Sequence, residues 1–121
     1  MPGSRAIILF GHGSRDVRWR EPMERLAGRI RSQAPQVPVA CAYLELTTPD
    51  LPSAAASLIA QGAVRIRVLP MFLGMGKHVR EDLPLLVQAL QSAHPGVEFE
   101  LQAAVGEDER LIAAMAQIAL E

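Results

Sequence analysis

Short apolar runs alternate along the chain with stretches whose apolar residues recur every three or four positions, the patterns of buried strands and amphipathic helices respectively. Ala6-Ile7-Ile8-Leu9-Phe10 is continuously apolar, as a strand covered on both faces must be, and predicts a strand over residues 5–10. A loop over 11–20 follows, then a helix over 21–34. Pro22 suits that helix's first turn, where a missing N–H has no partner to lose, and Met23, Leu26, Ala27 and Ile30 form one apolar stripe before Pro35 closes it. A second strand is expected over 37–44, a turn or cap at Thr47-Thr48-Pro49-Asp50, and an alanine-rich helix over 51–61 stopped by Gly62. In the third strand, 63–69, Val64, Ile66 and Val68 alternate with Arg65 and Arg67, and Pro70 ends it. A loop with two glycines, Met71 to Lys77, leads into a helix that ends near Ala93. Asp82, before Leu83-Pro84, reads as its cap, with a looser first turn from Val79. His94-Pro95-Gly96 stops it, a fourth strand covers 97–103, and Glu107-Asp108-Glu109 opens a last helix that Leu111 to Leu120 completes.

Four β-α units in series predict an α/β fold: a three-layer αβα sandwich around a four-stranded, mainly parallel sheet. The simplest doubly wound order is 2-1-3-4, with the switch point between strands 1 and 3. No linker, repeat or low-complexity tract divides the chain, so residues 1–121 read as one domain.

Composition narrows the function. Half of the residues are hydrophobic, which is globular rather than disordered. No apolar run approaches the ~20 residues that span a bilayer, and Met1 to Arg5 lead into the first strand without a signal-peptide pattern. Twelve basic against 13 acidic residues give a net charge of -1, and one tryptophan and one tyrosine leave little for base stacking. Neither a nucleic acid nor an anionic membrane is an expected partner. Cys41 is the single cysteine and sits in an apolar strand pattern, so it reads as core filler in a protein of the reducing cytoplasm.

The chemistry gathers at the strand ends. In open α/β sheets, ligands bind outside the carboxyl ends of the strands near the switch point. His12, between Gly11 and Gly13, follows strand 1; Glu45 follows strand 2; His78 follows strand 3. In the order 2-1-3 these ends are neighbours, and two imidazoles and a carboxylate would share one cleft. Such a set suits a borderline divalent metal (cobalt, nickel, iron or zinc) and accepts protons. Each residue also has an ordinary reading: His12 as a turn residue, Glu45 as a strand-end carboxylate, His78 as a solvated residue before a helix. Arg15, Arg18, Lys77 and Arg80 flank the two histidines, either as solvated surface or as a rim for a polyanionic ligand. Met71, Phe72, Leu73 and Met75 either pack over the sheet end or wall a large flat ligand. His94, at a helix end before Pro95, reads as structural.

Three motifs carry a resemblance: Gly11-His12-Gly13-Ser14-Arg15-Asp16, then Leu44-Glu45-Leu46 with Pro49-Asp50-Leu51, then Pro70-Met71-Phe72-Leu73 through Gly76-Lys77-His78-Val79-Arg80-Glu81-Asp82-Leu83-Pro84. In order and spacing they resemble the short CbiX-type sirohydrochlorin chelatases, relatives of the class II tetrapyrrole chelatases. The resemblance implies insertion of a divalent metal, cobalt or else iron or nickel, into sirohydrochlorin, without an organic cofactor. It places the metal-site histidines at His12 and His78 and a neighbouring carboxylate at Glu45. Arg15, Lys77 and Arg80, from their positions beside the two histidines, are then expected to meet the substrate's carboxylates. Larger chelatases enclose their cleft between two lobes; this chain matches one, so a homodimer is implied. With three histidines and one cysteine, neither metal storage nor an iron–sulfur cluster is expected on this chain.

Two other classes remain. A non-catalytic metal or tetrapyrrole carrier would use the same histidines. A phosphoryl-transfer enzyme with His12 as nucleophile is disfavoured, because the histidine phosphatases have an arginine immediately before that histidine and this chain has Phe10-Gly11.

Overall fold

The computed structural model describes residues 4–121; the leader reading of Met1 to Gly3 lies outside the described residues. Strand β1 (Arg5–Gly11) is followed by helix α1 (Glu21–Gln33), β2 (Val39–Tyr43), α2 (Leu51–Ala60), β3 (Arg65–Pro70), α3 (Lys77–Ala93), β4 (Glu98–Leu101) and α4 (Glu109–Leu120). Short 3-10 turns at Val17–Arg20 and Val105–Glu107 precede α1 and α4. The strands form one sheet in the order β2-β1-β3-β4, and all three pairings are parallel. The expected α/β architecture and strand order are therefore the observed ones.

The pleat sorts the side chains. Ala6, Ile8 and Phe10 of β1, Ala42 of β2, and Ile66 and Val68 of β3 point to one face, where Leu51, Ala54, Ala55 and Leu58 of α2 and Leu83, Val87 and Leu90 of α3 cover them. Leu9 of β1 and Val39, Cys41 and Tyr43 of β2 point to the other, under Met23 and Ala27 of α1. Both faces of the β1–β2 half are thus buried, which is why its strands read as unbroken apolar runs. The β3–β4 half differs. On the α1 side it carries two cross-strand ion pairs, Arg67–Glu100 at 2.9 Å and Arg65–Glu98 at 3.7 Å, and α4 stands over its end without burying a single residue.

Three local readings are corrected. The segment 11–20 contains a 3-10 turn, because the Asp16 carboxylate accepts the Arg18 N–H at 2.9 Å and so caps residues 17–20. Pro70 lies inside β3 as its last residue, opposite Phe10; a missing N–H is tolerated at a strand end, and the ladder resumes when Met71 N–H donates to the Phe10 carbonyl at 2.7 Å. Helix α3 begins at Lys77 on an extended Gly76, not at a cap on Asp82, and runs through Pro84. Pro84 deprives the Arg80 carbonyl of its helical donor, but the first turn is already set by the Arg80 N–H to Gly76 carbonyl bond, 2.9 Å.

Candidate functional site

The site is built on backbone that continues past the strand ends. After β1 and β2 finish, Leu44 N–H donates to the Gly11 carbonyl at 2.9 Å and Glu45 N–H to the His12 carbonyl at 3.0 Å. The Leu44 bond continues the parallel ladder by one step, and the Glu45 bond then joins the two loops directly and sets His12 beside Glu45. Gly13 has φ +103°, a region that favours glycine. A Cβ there would lie 1.7 Å from the Glu45 carbonyl oxygen, so the close approach of the two loops requires glycine.

Beyond Glu45 the chain reverses sharply. Leu46 takes φ +65°, and Thr47 N–H donates back to the Glu45 carbonyl at 2.8 Å. A left-handed leucine costs on the order of 1–2 kcal/mol. The turn delivers the Thr47 hydroxyl to the His12 loop, where it accepts the Ser14 N–H at 3.0 Å and donates to the Ser14 carbonyl at 2.9 Å. Ser14 Oγ in turn accepts the Asp16 N–H at 3.0 Å. Asp50, expected as a turn or cap residue, caps α2 by accepting the Ser53 N–H at 2.8 Å.

Of the expected site residues, His12 and Glu45 come together. His12 Nε2 lies 3.7 Å from Glu45 Oε2, with both side chains about half exposed, at 53% and 55%. That separation is too long for a hydrogen bond. It is close to the ~3.4 Å between two donors that share one tetrahedral ion at ~2.0–2.2 Å. An imidazole nitrogen and a carboxylate oxygen are ligands for the borderline first-row metals, and both accept protons.

His78 is exposed on the first turn of α3, the helix that follows β3, whose carboxyl end lies beside that of β1. It does not join the pair: among the described residues no group of three His, Cys, Asp or Glu side chains is set to hold a metal. Arg15 and Lys77 are exposed and have no carboxylate partner among the described residues. Arg80 turns back on its own loop, its Nη1 donating to the Met75 carbonyl at 3.3 Å. In the apolar loop, Phe72 and Met75 pack on the core and Leu73 stays 70% exposed.

Next to the pair in sequence, the end of β2 is buried. Tyr43, the last residue of β2, is buried against Trp19 with rings 6.1 Å apart, and its hydroxyl has no hydrogen-bond partner among the described residues. Burial, then the neighbouring Cys41 and Glu24, pushes the Tyr43 phenol up to about 12. Burial, then Glu24, pushes the Cys41 thiol up to about 11. The Cys41 thiol faces the Met23 carbonyl at 3.8 Å and the Glu24 carboxylate at 3.7 Å. This agrees with Cys41 as core filler, not a ligand.

Sequence reasoning missed the supports of the pair. Ser14 and Thr47 stood inside noted motifs, but their bond joins residues 33 apart. Gly106 was overlooked altogether. Its N–H donates to the Phe72 carbonyl at 2.9 Å, and a Cβ there would lie 2.1 Å from the Leu73 carbonyl oxygen, so the turn before α4 clamps the loop that leads to His78.

The CbiX family model matches residues 6–121, nearly the whole chain. The chain belongs to the CbiX family. This CbiX chain is 35% identical over 89 residues to a sirohydrochlorin cobaltochelatase of Methanocaldococcus jannaschii, covering 74% of this chain and 62% of that protein. Over 112 residues it is 28% identical to a sirohydrochlorin ferrochelatase of Bacillus subtilis, covering 92% of this chain but 42% of the relative. The chain thus spans less than two thirds of these curated relatives. Among solved structures, a cobalamin biosynthesis CbiX protein from Marinobacter aquaeolei VT8 superposes with a TM-score of 0.83 at 35% identity, covering 95% of this chain and 93% of that one. The sirohydrochlorin chelatase SirB from Bacillus subtilis subspecies spizizenii, solved in complex with cobalt, superposes with a TM-score of 0.78 at 25% identity, covering 94% of this chain and 49% of that chain.

Proposed function

We propose that this CbiX chain is a sirohydrochlorin chelatase that inserts a divalent metal, cobalt in the first instance, into the macrocycle. The observation that carries the reading is the His12–Glu45 pair, held 3.7 Å apart at the carboxyl edge of the sheet in a CbiX-family chain. Curated relatives named as cobaltochelatases support cobalt, and those named as ferrochelatases keep iron as the alternative metal. Nickel is a further alternative.

Insertion exchanges two pyrrole N–H protons for one metal ion. The metal is substrate here, and no organic cofactor is called for. His12 Nε2, neutral, offers a lone pair to the incoming ion, and Glu45 offers an oxygen to the ion or takes a pyrrole proton. Half exposure leaves both groups open on one side, as a site that must take up and release its ion requires. His78, on the first turn of α3, supplies a second imidazole when the loop before it brings it toward the ring. Arg15 and Lys77, unpaired at the rim, meet the peripheral carboxylates of the tetrapyrrole; Arg80 contributes by holding the 71–76 loop as much as by its charge.

One lobe offers one wall. We infer that residues 1–121 form a single chelatase lobe and that a second copy supplies the other wall, as the two-fold greater length of SirB suggests. The lone, buried Cys41 is consistent with a cytoplasmic protein, and no helix among the described residues is long and apolar enough to cross a membrane.

The test is cobalt insertion into sirohydrochlorin, followed by the visible spectrum of the metallated product. Multiple turnovers by the purified protein are expected. Stoichiometric binding without turnover would establish a carrier instead.

A further inference from the structure

We propose that Thr47 is a positioning residue for metal insertion: its hydroxyl sets the geometry of the His12–Glu45 pair by clasping the two loops that carry it. The proposal rests on the reading of that pair as the insertion site. Both side chains of the pair are half exposed, at 53% and 55%, so little packing fixes either of them. Their mutual placement is inherited from the backbone of the loops at 11–16 and 44–50. Two kinds of contact join these loops. One is the continued ladder, Leu44 to Gly11 and Glu45 to His12. The other is the two-way bond of the Thr47 hydroxyl, which accepts the Ser14 N–H at 3.0 Å and donates to the Ser14 carbonyl at 2.9 Å.

The ladder lies before the pair and the clasp lies after it. With both closed, His12 and Gly13 are fixed at each end against Glu45 and Leu46. With the clasp open, the Glu45 loop stays closed on itself by the Tyr43 N–H to Pro49 carbonyl bond, 3.0 Å, but only the Leu44–Gly11 and Glu45–His12 backbone bonds still hold it to the His12 loop. The left-handed φ of Leu46, +65°, is what brings Thr47 back to Ser14, and the clasp offsets the strain of that turn. Only a hydroxyl satisfies the geometry, because one atom must accept from an N–H and donate to a carbonyl at once. Threonine and serine qualify; valine, of the same shape, does not.

The test compares Thr47→Val, Thr47→Ser and His12→Ala with the unmodified protein. Two quantities are read: the Kd for Co2+ alone, from its visible absorption, and kcat and KM for cobalt insertion into sirohydrochlorin. Groups that orient metal ligands typically contribute about 10–100-fold to affinity or activity. Thr47→Val is therefore expected to raise the Co2+ Kd and lower kcat by roughly 10-fold or more, with KM for the tetrapyrrole within about twofold. Thr47→Ser restores both. Because Kd does not depend on the fraction of protein that is folded, a clasp of purely structural value would lower Tm and leave Kd unchanged; that result overturns the proposal. Thr47→Ala replaces Thr47→Val if the latter does not fold. If Thr47→Val matches the unmodified protein while His12→Ala loses both quantities, the positioning role alone is wrong. If His12→Ala keeps both, the assignment of the insertion site falls and the proposal with it.

Discussion

At the scale of single residues, the site depends on a few atoms whose replacement has calculable direction. His12→Ala removes a nitrogen that nothing nearby replaces, and the insertion rate should fall by at least ~100-fold, as for loss of a proton-transfer or ligating group. Glu45→Gln keeps size and removes the charge; a loss of ~10–100-fold is expected if the carboxylate orients or ligates, read as initial rates of cobalt insertion. Gly13→Ala acts differently, because the added Cβ meets the Glu45 carbonyl oxygen at 1.7 Å and the φ of +103° is unsuited to alanine. The backbone conformation alone costs on the order of 1–3 kcal/mol, so Tm should drop by roughly 5–15 °C, with insertion lost in the fraction that folds. That His12 and Glu45 meet was legible in the sequence, because the strand order 2-1-3 makes the carboxyl ends of β1 and β2 neighbours. The Ser14–Thr47 clasp was not, because it exists only through the left-handed turn at Leu46, which leucine gives no reason to expect.

At the scale of elements, β1 and β2 were readable because two-sided burial leaves continuous apolar runs, and β3 because buried Ile66 and Val68 alternate with exposed Arg65 and Arg67. The start of α3 was misread because Asp82-Leu83-Pro84 imitates a capped first turn; the true start rests on an extended Gly76 and on Arg80 bonded to Met75, contacts across a loop that no periodicity records. That loop is also held from outside, where Gly106 meets Leu73. Gly106→Ala should push the 71–76 loop away, and His78 with it. Insertion should slow while Co2+ binding at the His12–Glu45 pair is retained, a split that separates the two halves of the site. The helix α1 side of β2 gives a second prediction. Cys41 and Tyr43 have folded pKa values raised to about 11 and about 12 from 9.0 and 10.0. For an acid whose folded pKa is raised, the unfolded chain releases its proton first, so stability is full below the unfolded value and is lost as pH climbs through the folded one. The stability that these two groups contribute should therefore be constant up to pH ~9 in denaturant unfolding and decline between pH ~9 and ~12. Cys41→Ala should shrink the first part of that decline, and Cys41 should resist thiol reagents at pH 8 until the protein unfolds.

At the scale of the whole molecule, the unequal covering of the sheet is the feature that sequence alone did not convey. Helix α4 is apolar in composition, yet Ile112, Ile118 and Leu120 are exposed at 41%, 71% and 84%, and an open groove of about 560 Å³ separates its Arg110, Leu111 and Ala114 from Arg67 and Leu69 of β3. Exposed apolar surface of this kind is ordinarily covered in the working assembly. In SirB, half of the chain lies outside the match to this lobe. On the function proposed above, this CbiX lobe meets that need by pairing with another copy. Sedimentation at micromolar concentration should then give twice the 13.1 kDa chain mass. Ile118→Glu with Leu120→Glu should shift the equilibrium to monomer if α4 contributes to the contact, since a buried carboxylate without a partner costs several kcal/mol. Insertion activity should fall in parallel with dimer content while Co2+ binding by the His12–Glu45 pair persists, because the pair is built within one copy and only the enclosure of the macrocycle requires two. A monomer that inserts cobalt at the full rate would show that one wall is enough.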